Sequence, residues 1–169
     1  RWEEPVYYQI HGEYTDTDQA TFESMVAWLN TVEGFPGIFP ATDFSLPNLA
    51  VYFCSESELV EKMGENYSGC DGAVTFWYSD NMIYDEIICY RNDISQEIRN
   101  SVILEEIYNG LGPIQDTWLR EDSIIYQYGS DVQSLSEVDM LLLQLLYHPD
   151  MECGMNGAQC EAVIRNLYY

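Results

Sequence analysis

The stretch ILEEIYNGLG, residues 103–112, decides how this chain is interpreted. Its apolar residues recur at helical spacing, so it predicts the last turns of a long helix from Asn92 to Leu111. Gly112 and the proline after it predict a sharp end, because glycine accepts the left-handed conformation beyond a helix and proline cannot extend one. The helix therefore carries two adjacent carboxylates, Glu105 and Glu106, to a point where the chain turns.

Several further segments follow this helix in a fixed order. The segment SIIYQY occupies residues 123–128, and a second predicted helix runs from Ser134 to Tyr147. Its run at 140–143, Met-Leu-Leu-Leu, predicts deep burial. A CGM triplet at 153–155 precedes a third, shorter helix from Asn156 to Leu167.

In order and spacing these segments resemble the metzincin group of metallopeptidases. They are more similar still to a bacterial family of secreted, metzincin-like domains that read EE-x-x-x-x-LG where metzincins read HExxHxxG. The likeness runs from about residue 101 to residue 167. The resemblance implies that Glu105 and Asn109 occupy two metal-ligand positions and that Glu106 occupies the position of the catalytic base.

The same resemblance assigns three more positions. Gln115 or Asp116 falls near the place of a third histidine, and Ile125 replaces the methionine of the Met-turn. The implied fold is α+β and zincin-like. It has a small mixed sheet with an edge hairpin packed on helices, an active-site-type helix, a Met-turn-like loop and C-terminal helices. At 169 residues we expect one domain, with a sheet-rich part at 1–91 and a helical part at 92–169.

The first ninety residues alternate predicted strands and helices. Segments rich in β-branched and aromatic residues predict strands, and Ser or Thr before a helical pattern predicts a helix start. The predicted elements are a strand at Pro5–Ile10, a helix capped within Thr15–Asp18, a loop at Gly34–Pro47, a strand at Leu49–Cys54, a short helix from Ser55 to Met63, and strands at Ala73–Tyr78 and Met82–Tyr90.

The last two strands, separated by Ser79-Asp80-Asn81, predict a hairpin. In the resembled group an edge strand of this kind lies above the cleft and pairs with extended peptide. The alternative is an ordinary hairpin whose edge is shielded by charge.

The charge balance excludes two classes of partner. Six basic residues stand against 29 acidic ones, for a net charge of -23, which repels nucleic acid and anionic lipid headgroups. No run approaches the roughly 18 apolar residues that span a bilayer. The chain begins with Arg1 and without an initiator methionine, so we expect an export signal upstream and a secreted or cell-surface location.

Five cysteines show neither a CxxC motif nor a cluster with histidine. Export would allow Cys153 to pair with Cys160 and Cys70 with Cys89, leaving Cys54 over. The alternative is five reduced thiols.

The oxygen-bearing side chains carry the chemical hypotheses. With two distant histidines the sequence predicts no zinc site. Oxygens of Glu105, Asn109 and either Gln115 or Asp116 would suit Ca²⁺ or another hard cation. Alternatively, these side chains face water or bond to backbone groups.

A second hypothesis concerns Glu106 as the catalytic residue. Tyr108 and Tyr126, the predicted cleft walls, would enclose it together with Trp118 and raise its pKa.

Three interpretations of function remain open. The first is a secreted metallopeptidase-like domain without the standard zinc site, acting as a non-catalytic peptide- or surface-binding module. The second is an active hydrolase or peptidase with a non-standard, carboxylate-based metal site. The third is a structural domain of a larger surface protein, and the oligomeric state is undetermined.

Overall fold

The computed structural model describes residues 1–128 and 132–168. Over these ranges the chain is a mixed α+β fold with one five-stranded sheet and five α-helices, which confirms the predicted class. The elements in chain order are β1 (Val6–Gly12), α1 (Asp16–Leu29), β2 (Ile38–Pro40), β3 (Leu49–Cys54), α2 (Glu56–Met63), a 3₁₀ turn (Glu65–Tyr67), β4 (Gly72–Ser79), β5 (Met82–Arg91), α3 (Gln96–Gly110), α4 (Glu137–Leu146) and α5 (Gly157–Tyr168).

The sheet has the strand order β2-β1-β3-β5-β4. The first four of these strands are parallel to their neighbours, and β4 alone is antiparallel, paired with β5 at one edge. Asp80 and Asn81 join β4 to β5 with φ angles of 52° and 66°. Two left-handed residues in a two-residue turn match the right-handed twist of a hairpin, and Asn and Asp tolerate that conformation. The predicted edge hairpin is thus present.

Helices α1 and α3 cover one face of the sheet. Their buried apolar residues, among them Phe22 and Ile103, join Val51 and Ile88 of the sheet in the main hydrophobic core. Helix α2 covers part of the opposite face, where Leu59 packs with Cys54, Ala73 and Cys89 in a second, smaller cluster. The layered arrangement follows from burying one stripe of each helix against the sheet.

A buried ion pair fixes α3 against α1. Arg99 Nε donates to Asp18 Oδ1 over 2.6 Å, and both side chains are buried. The guanidinium also donates to the carbonyl oxygens of Asn92 and Ile94, and Gln96 donates to the same Asp18 oxygen. Because each polar group has a partner, the pair orients α3 without leaving a charge unsatisfied.

Capping residues set the helix boundaries that the sequence placed only approximately. Helix α3 begins four residues later than predicted, since Ser95 caps it by accepting from the Ile98 N–H. Helix α4 begins at Glu137, three residues after the predicted start, because Ser136 caps it by accepting from the Asp139 N–H. Both side chains take the place of missing helical partners for the first N–H groups.

Two predictions about the chain outside α3 were wrong. The predicted loop Gly34–Pro47 contains β2, whose three residues pair in parallel with β1. The run Met140–Leu143 is not deeply buried: only Leu143 is, while Leu141 and Leu142 are exposed on α4. Helix α4 thus packs with one narrow stripe, which a run of consecutive leucines does not reveal.

The structure leaves all five cysteines as free thiols. Cys89 lies in the small core cluster with Cys54 and not with Cys70, the partner that the sequence suggested. Strand pairing explains the difference, because β3 and β5 are neighbours and both thiols occupy the α2 face of the sheet. Across the described ranges, no helix is both long and apolar enough to cross a membrane.

Candidate functional site: a carboxyl cluster at the end of α3

The last two turns of α3 carry Glu105, Glu106 and Asn109, and the helix ends at Gly110. Gly112, two residues on, has φ +128°, a conformation that other residues rarely adopt, so the chain turns sharply where the sequence predicted. A Cβ at Gly112 would stand 3.3 Å from the Leu146 side chain of α4. Local sequence thus places two carboxylates at a helix end beside a tight bend.

Glu106 packs against the first residue of β4. A Cβ built at Gly72 would lie 3.0 Å from Glu106 Oε1 and 2.3 Å from Val102 Cγ1, so the lack of a side chain at Gly72 makes room for both. Burial raises the pKa of Glu106 to about 8, and the charges of Glu105 and Asp116 add to the rise. The Asn109 side chain opposes it by hydrogen bonding. At neutral pH this carboxyl group is therefore largely protonated.

Glu105 is half-buried on the neighbouring side of the helix. Burial raises its pKa to about 7, and the negative charges of Asp116 and Asp71 raise it further. A group with a pKa near neutrality exchanges its proton under mild conditions, which is the property that acid or base chemistry uses. Asp116, predicted near a third ligand position, thus lies close enough to both glutamates to perturb them.

The deepest member of this group was not predicted from the sequence. Glu86 of β5 is only 2% exposed, and burial raises its pKa to about 8, with Glu106 and Asp85 adding to the rise. Its carboxyl group lies over Gly110, where a Cβ would stand 1.6 Å from Glu86 Oε1. The Trp2 indole, which donates to the Gly110 carbonyl over 3.1 Å, partly opposes the pKa rise. We call Glu86, Glu105, Glu106 and Asp116 the carboxyl cluster.

A signal for Glu86 was present in strand β5. Glu86 shares its parity with Ile88 and Tyr90, which are fully buried, and side chains two apart on a strand face the same side. A carboxylate on the core-facing side of a strand is unusual and marks a functional candidate. A bulge interrupts the pairing of β4 with β5 between Trp77 and Tyr78, opposite the first residues of β5. The alternation of buried and exposed residues therefore changes there, which obscured the pattern in the sequence.

Two oxygens in this region have no hydrogen-bond partner although they are buried: Oε1 of Glu86 and Oδ1 of Asn109. Buried polar atoms in proteins are nearly always paired, and an unpaired one costs about 1–3 kcal/mol. Gly110, which the Glu86 carboxyl contacts, directly follows Asn109 in the helix. The cluster is thus incomplete within the described part of the chain.

The segment at the predicted Met-turn position lies in the core. Ile124 and Ile125 are buried, and the Ile124 N–H donates to Asp139 Oδ2 over 3.1 Å. Ser123 Oγ donates to the other oxygen of the same carboxylate over 2.5 Å. One buried aspartate therefore holds this segment to the start of α4.

Tyr108 is not a cleft wall, contrary to the prediction. Its ring is fully buried and its hydroxyl donates to the Asp139 carbonyl over 3.0 Å, so it joins α3 to α4. Residues two positions apart on a helix point in nearly opposite directions, so Tyr108 does not enclose Glu106.

Tyr126 belongs to a surface group of aromatic rings instead. The Trp118 and Tyr128 rings lie 5.3 Å apart and the Tyr126 and Tyr128 rings 5.7 Å apart, both edge to face. Trp118 is 61% exposed and Tyr128 74%. We call these three residues the aromatic cluster. Gln115 is exposed.

The donor set does not fit zinc. In the ranges that the structure covers, no three His, Cys, Asp or Glu side chains are grouped so that they could hold a metal ion. The two implied ligand positions of α3 carry Glu105 and Asn109, and an unpaired amide oxygen is a poor zinc ligand. Four cavities of about 460 to about 680 Å³ are lined by residues outside the carboxyl cluster. The cluster lies instead beside a strand edge.

Comparison with known proteins adds one finding. A family model described as "Protein of unknown function (DUF2927)" matches residues 1–166. A search of the curated proteins gave no match.

Proposed function

The chain belongs to the DUF2927 family, and from its geometry we propose a zincin-fold, metallopeptidase-like domain that lacks the standard zinc site and binds extended peptide as a non-catalytic module. The resemblance to secreted domains supports a secreted or cell-surface location. The ligand would lie along the free edge of β4, next to the carboxyl cluster.

The observation that carries this proposal is the exposed backbone of β4. The Arg91 N–H donates to the Asp71 carbonyl over 3.0 Å, which makes these opposite residues a hydrogen-bonded pair. In an antiparallel ladder such pairs alternate with non-bonded ones, so Gly72, Val74 and Phe76 direct their N–H and C=O groups toward the free edge. Unpaired groups on an edge strand are a ready template for another extended chain.

The position of α3 supports the zincin part of the proposal. The helix lies across β4 and β5, with its carboxylates at the end where Gly72 and Glu86 meet it. A sharp turn at Gly112 and a buried segment at Ile124 follow in the order that the resemblance implies. The contacts of the end of α3 with β4 support a groove formed by this helix end and the edge strand.

Backbone hydrogen exchange tests the proposed binding. With saturating peptide from a panel of capped octapeptides that vary one central residue, the Val74 and Phe76 amides should gain protection. The Thr75 amide faces β5 and should change little. Val74→Pro removes one outward N–H without breaking the ladder and should abolish binding, whereas Val74→Ala keeps that N–H and should retain it. Binding that leaves the β4 amides unchanged would exclude this edge.

A hydrolase is the second candidate, favoured by one observation: the half-buried Glu106, with a pKa of about 8, is next to Glu105, with a pKa of about 7. Such a pair can donate and accept a proton near neutral pH. Incubation with a denatured protein would show slow cleavage that Glu106→Gln abolishes. If cleavage is absent and no peptide binds, only a structural role in a larger protein remains.

A further inference from the structure

The carboxyl cluster has no positively charged partner within the chain. The sequence contains six basic residues, all in the described ranges, and each is engaged elsewhere. Their partners are Glu3 for Arg1, the Tyr52 ring for Lys62, Asp93 for Arg91, Asp18 for Arg99, Asp122 for Arg120 and Glu161 for Arg165. Glu86 and Glu106 are largely protonated near neutral pH, so the negative charge that no basic residue of the protein neutralises belongs to the other two members of the cluster.

The end of α3 adds to this negative potential. A helix carries a partial negative charge at its C-terminus, where basic residues are favourable and acidic ones are not. Helix α3 has no basic residue in its last turn, and Glu105 and Glu106 stand close to its end. The usual arrangement is reversed, at a cost in stability that a positively charged ligand would offset.

The two unpaired oxygens also indicate a missing partner. Glu86 is buried, and its Oε1 faces α3 at Gly110 without a donor, while the Asn109 Oδ1 is likewise unpaired. An incomplete hydrogen-bond network at this place indicates that donors arrive from outside the chain.

The aromatic cluster adjoins the same region. Thr117 follows Asp116 directly, and its backbone forms hydrogen bonds with Ile125 and Gln127. The two chain segments that carry Trp118 and Tyr126 therefore lie side by side. Exposed aromatic faces attract ammonium and guanidinium groups and cover their apolar stems. They do not coordinate metal ions, and among the described side chains no metal-binding group of three is present.

We infer that the peptide bound at the β4 edge presents an arginine or lysine side chain to this region. Glu105 and Asp116 receive its charge, and the aromatic cluster packs against its stem. The inference rests on the proposed function and names its ligand class. Guanidinium and ammonium groups supply donors and positive charge together, which is what the carboxyl cluster lacks.

Calorimetry with matched ligands tests the inference. One capped octapeptide of alanine and threonine carries a central arginine, and its partner carries citrulline, an uncharged isostere. The arginine peptide should bind roughly 10- to 100-fold more tightly, as charge-assisted hydrogen bonds typically contribute. The double variant Glu105→Gln, Asp116→Asn should remove this preference. Glu121→Gln, in the same loop but exposed, should preserve it.

The outcomes separate the inference from the proposed function. Equal affinity for both peptides overturns the inference and leaves edge binding intact. Arginine amide alone is the second probe: if it binds and no peptide does, the cation site stands and the peptide-binding function falls. If neither binds, both are overturned. If Ca²⁺ binds stoichiometrically and displaces the arginine peptide, the site belongs to a metal ion and the inference is wrong.

Discussion

The carboxyl group of Glu86 lies directly on the backbone of Gly110, so that a Cβ at position 110 would be 1.6 Å from Glu86 Oε1. The two residues are 24 positions apart and belong to β5 and α3. Their contact decides how closely the helix approaches the sheet. It also explains why a glycine occupies the last turn of a helix, where it normally lowers stability.

Gly110→Ala should destabilise the protein because the added methyl group collides with the buried carboxyl. The expected loss is about 1–3 kcal/mol in the free energy of unfolding, the usual cost of overpacking. Urea denaturation would measure it. In the double variant with Glu86→Ala the collision is gone, so the two effects should not add. Gly157→Ala, where a Cβ meets nothing within 4 Å, is the control and should cost nothing.

Glu86→Gln should reduce the loss of stability at alkaline pH. The folded-state pKa of Glu86 is raised to about 8, above its ordinary value of 4.5, so the folded protein holds a proton that the unfolded chain releases. Stability is therefore full below pH 4.5 and falls as the pH rises toward 8. The amide carries no charge, so at pH 8.5 the variant should be more stable by about 3–5 kcal/mol.

Thermal unfolding between pH 4.5 and pH 8.5 provides the comparison. The exposed Glu61 offers a matched control, since Glu61→Gln should leave the dependence of the melting temperature on pH unchanged. If Glu86→Gln shows the same pH dependence of the melting temperature as the parent protein, the carboxyl group of Glu86 does not hold its proton in the folded state.

Asp18→Asn should weaken the junction of α1 and α3. It leaves the buried Arg99 without its charged partner, and such a loss typically costs about 3–5 kcal/mol. Hydrogen bonds from Arg99, Thr15 and Gln96 lower the pKa of Asp18 despite its burial. The contribution of Asp18 to the free energy of unfolding is thus fully present above its ordinary pKa, and it is lost as the pH falls through the lowered pKa of the folded state. Asp16→Asn, in the same turn but exposed, should show little effect in urea titrations at pH 6.

Asp139→Ala should loosen both α4 and the Ile124 segment. The carboxylate accepts bonds from Ser123 Oγ, the Ile124 N–H and Ser136, so the variant loses a cap and leaves a buried N–H unpaired. We expect a loss of about 2–4 kcal/mol. Calorimetric unfolding would measure it, with Glu137→Ala in the same turn as the neutral comparison. An unchanged melting temperature would mean that the segment is held by apolar packing alone.

Much of the fold could be predicted from short stretches of sequence. The strand Leu49–Cys54 is in place to the residue, and the hairpin turn lies at Asp80 and Asn81. Leu104, Ile107 and Leu111 are buried, as the helical spacing of α3 required. These features depend on neighbours within one or two turns, so the local pattern is enough.

Predictions that depended on distant neighbours fared less well. Tyr108 was expected near Glu106 and instead bonds to Asp139, 31 positions away. Cys89 was assigned to Cys70 and lies beside Cys54 because β3 and β5 are adjacent in the sheet. Strand β2 was taken for a loop, since three residues carry too little pattern to be recognised without the strand they pair with.

By itself the sequence determined the class of fold, the helix that carries Glu105 and Glu106, and the turn that ends it, because caps, glycines and periodicity act over a few residues. Tertiary structure alone decided that Glu86 joins them, that Gly72 and Gly110 make room for the carboxyl groups, and that an open strand edge lies alongside. A carboxyl group's pKa depends on what surrounds it in space, and those surroundings exist only once β5, β4 and α3 have packed together.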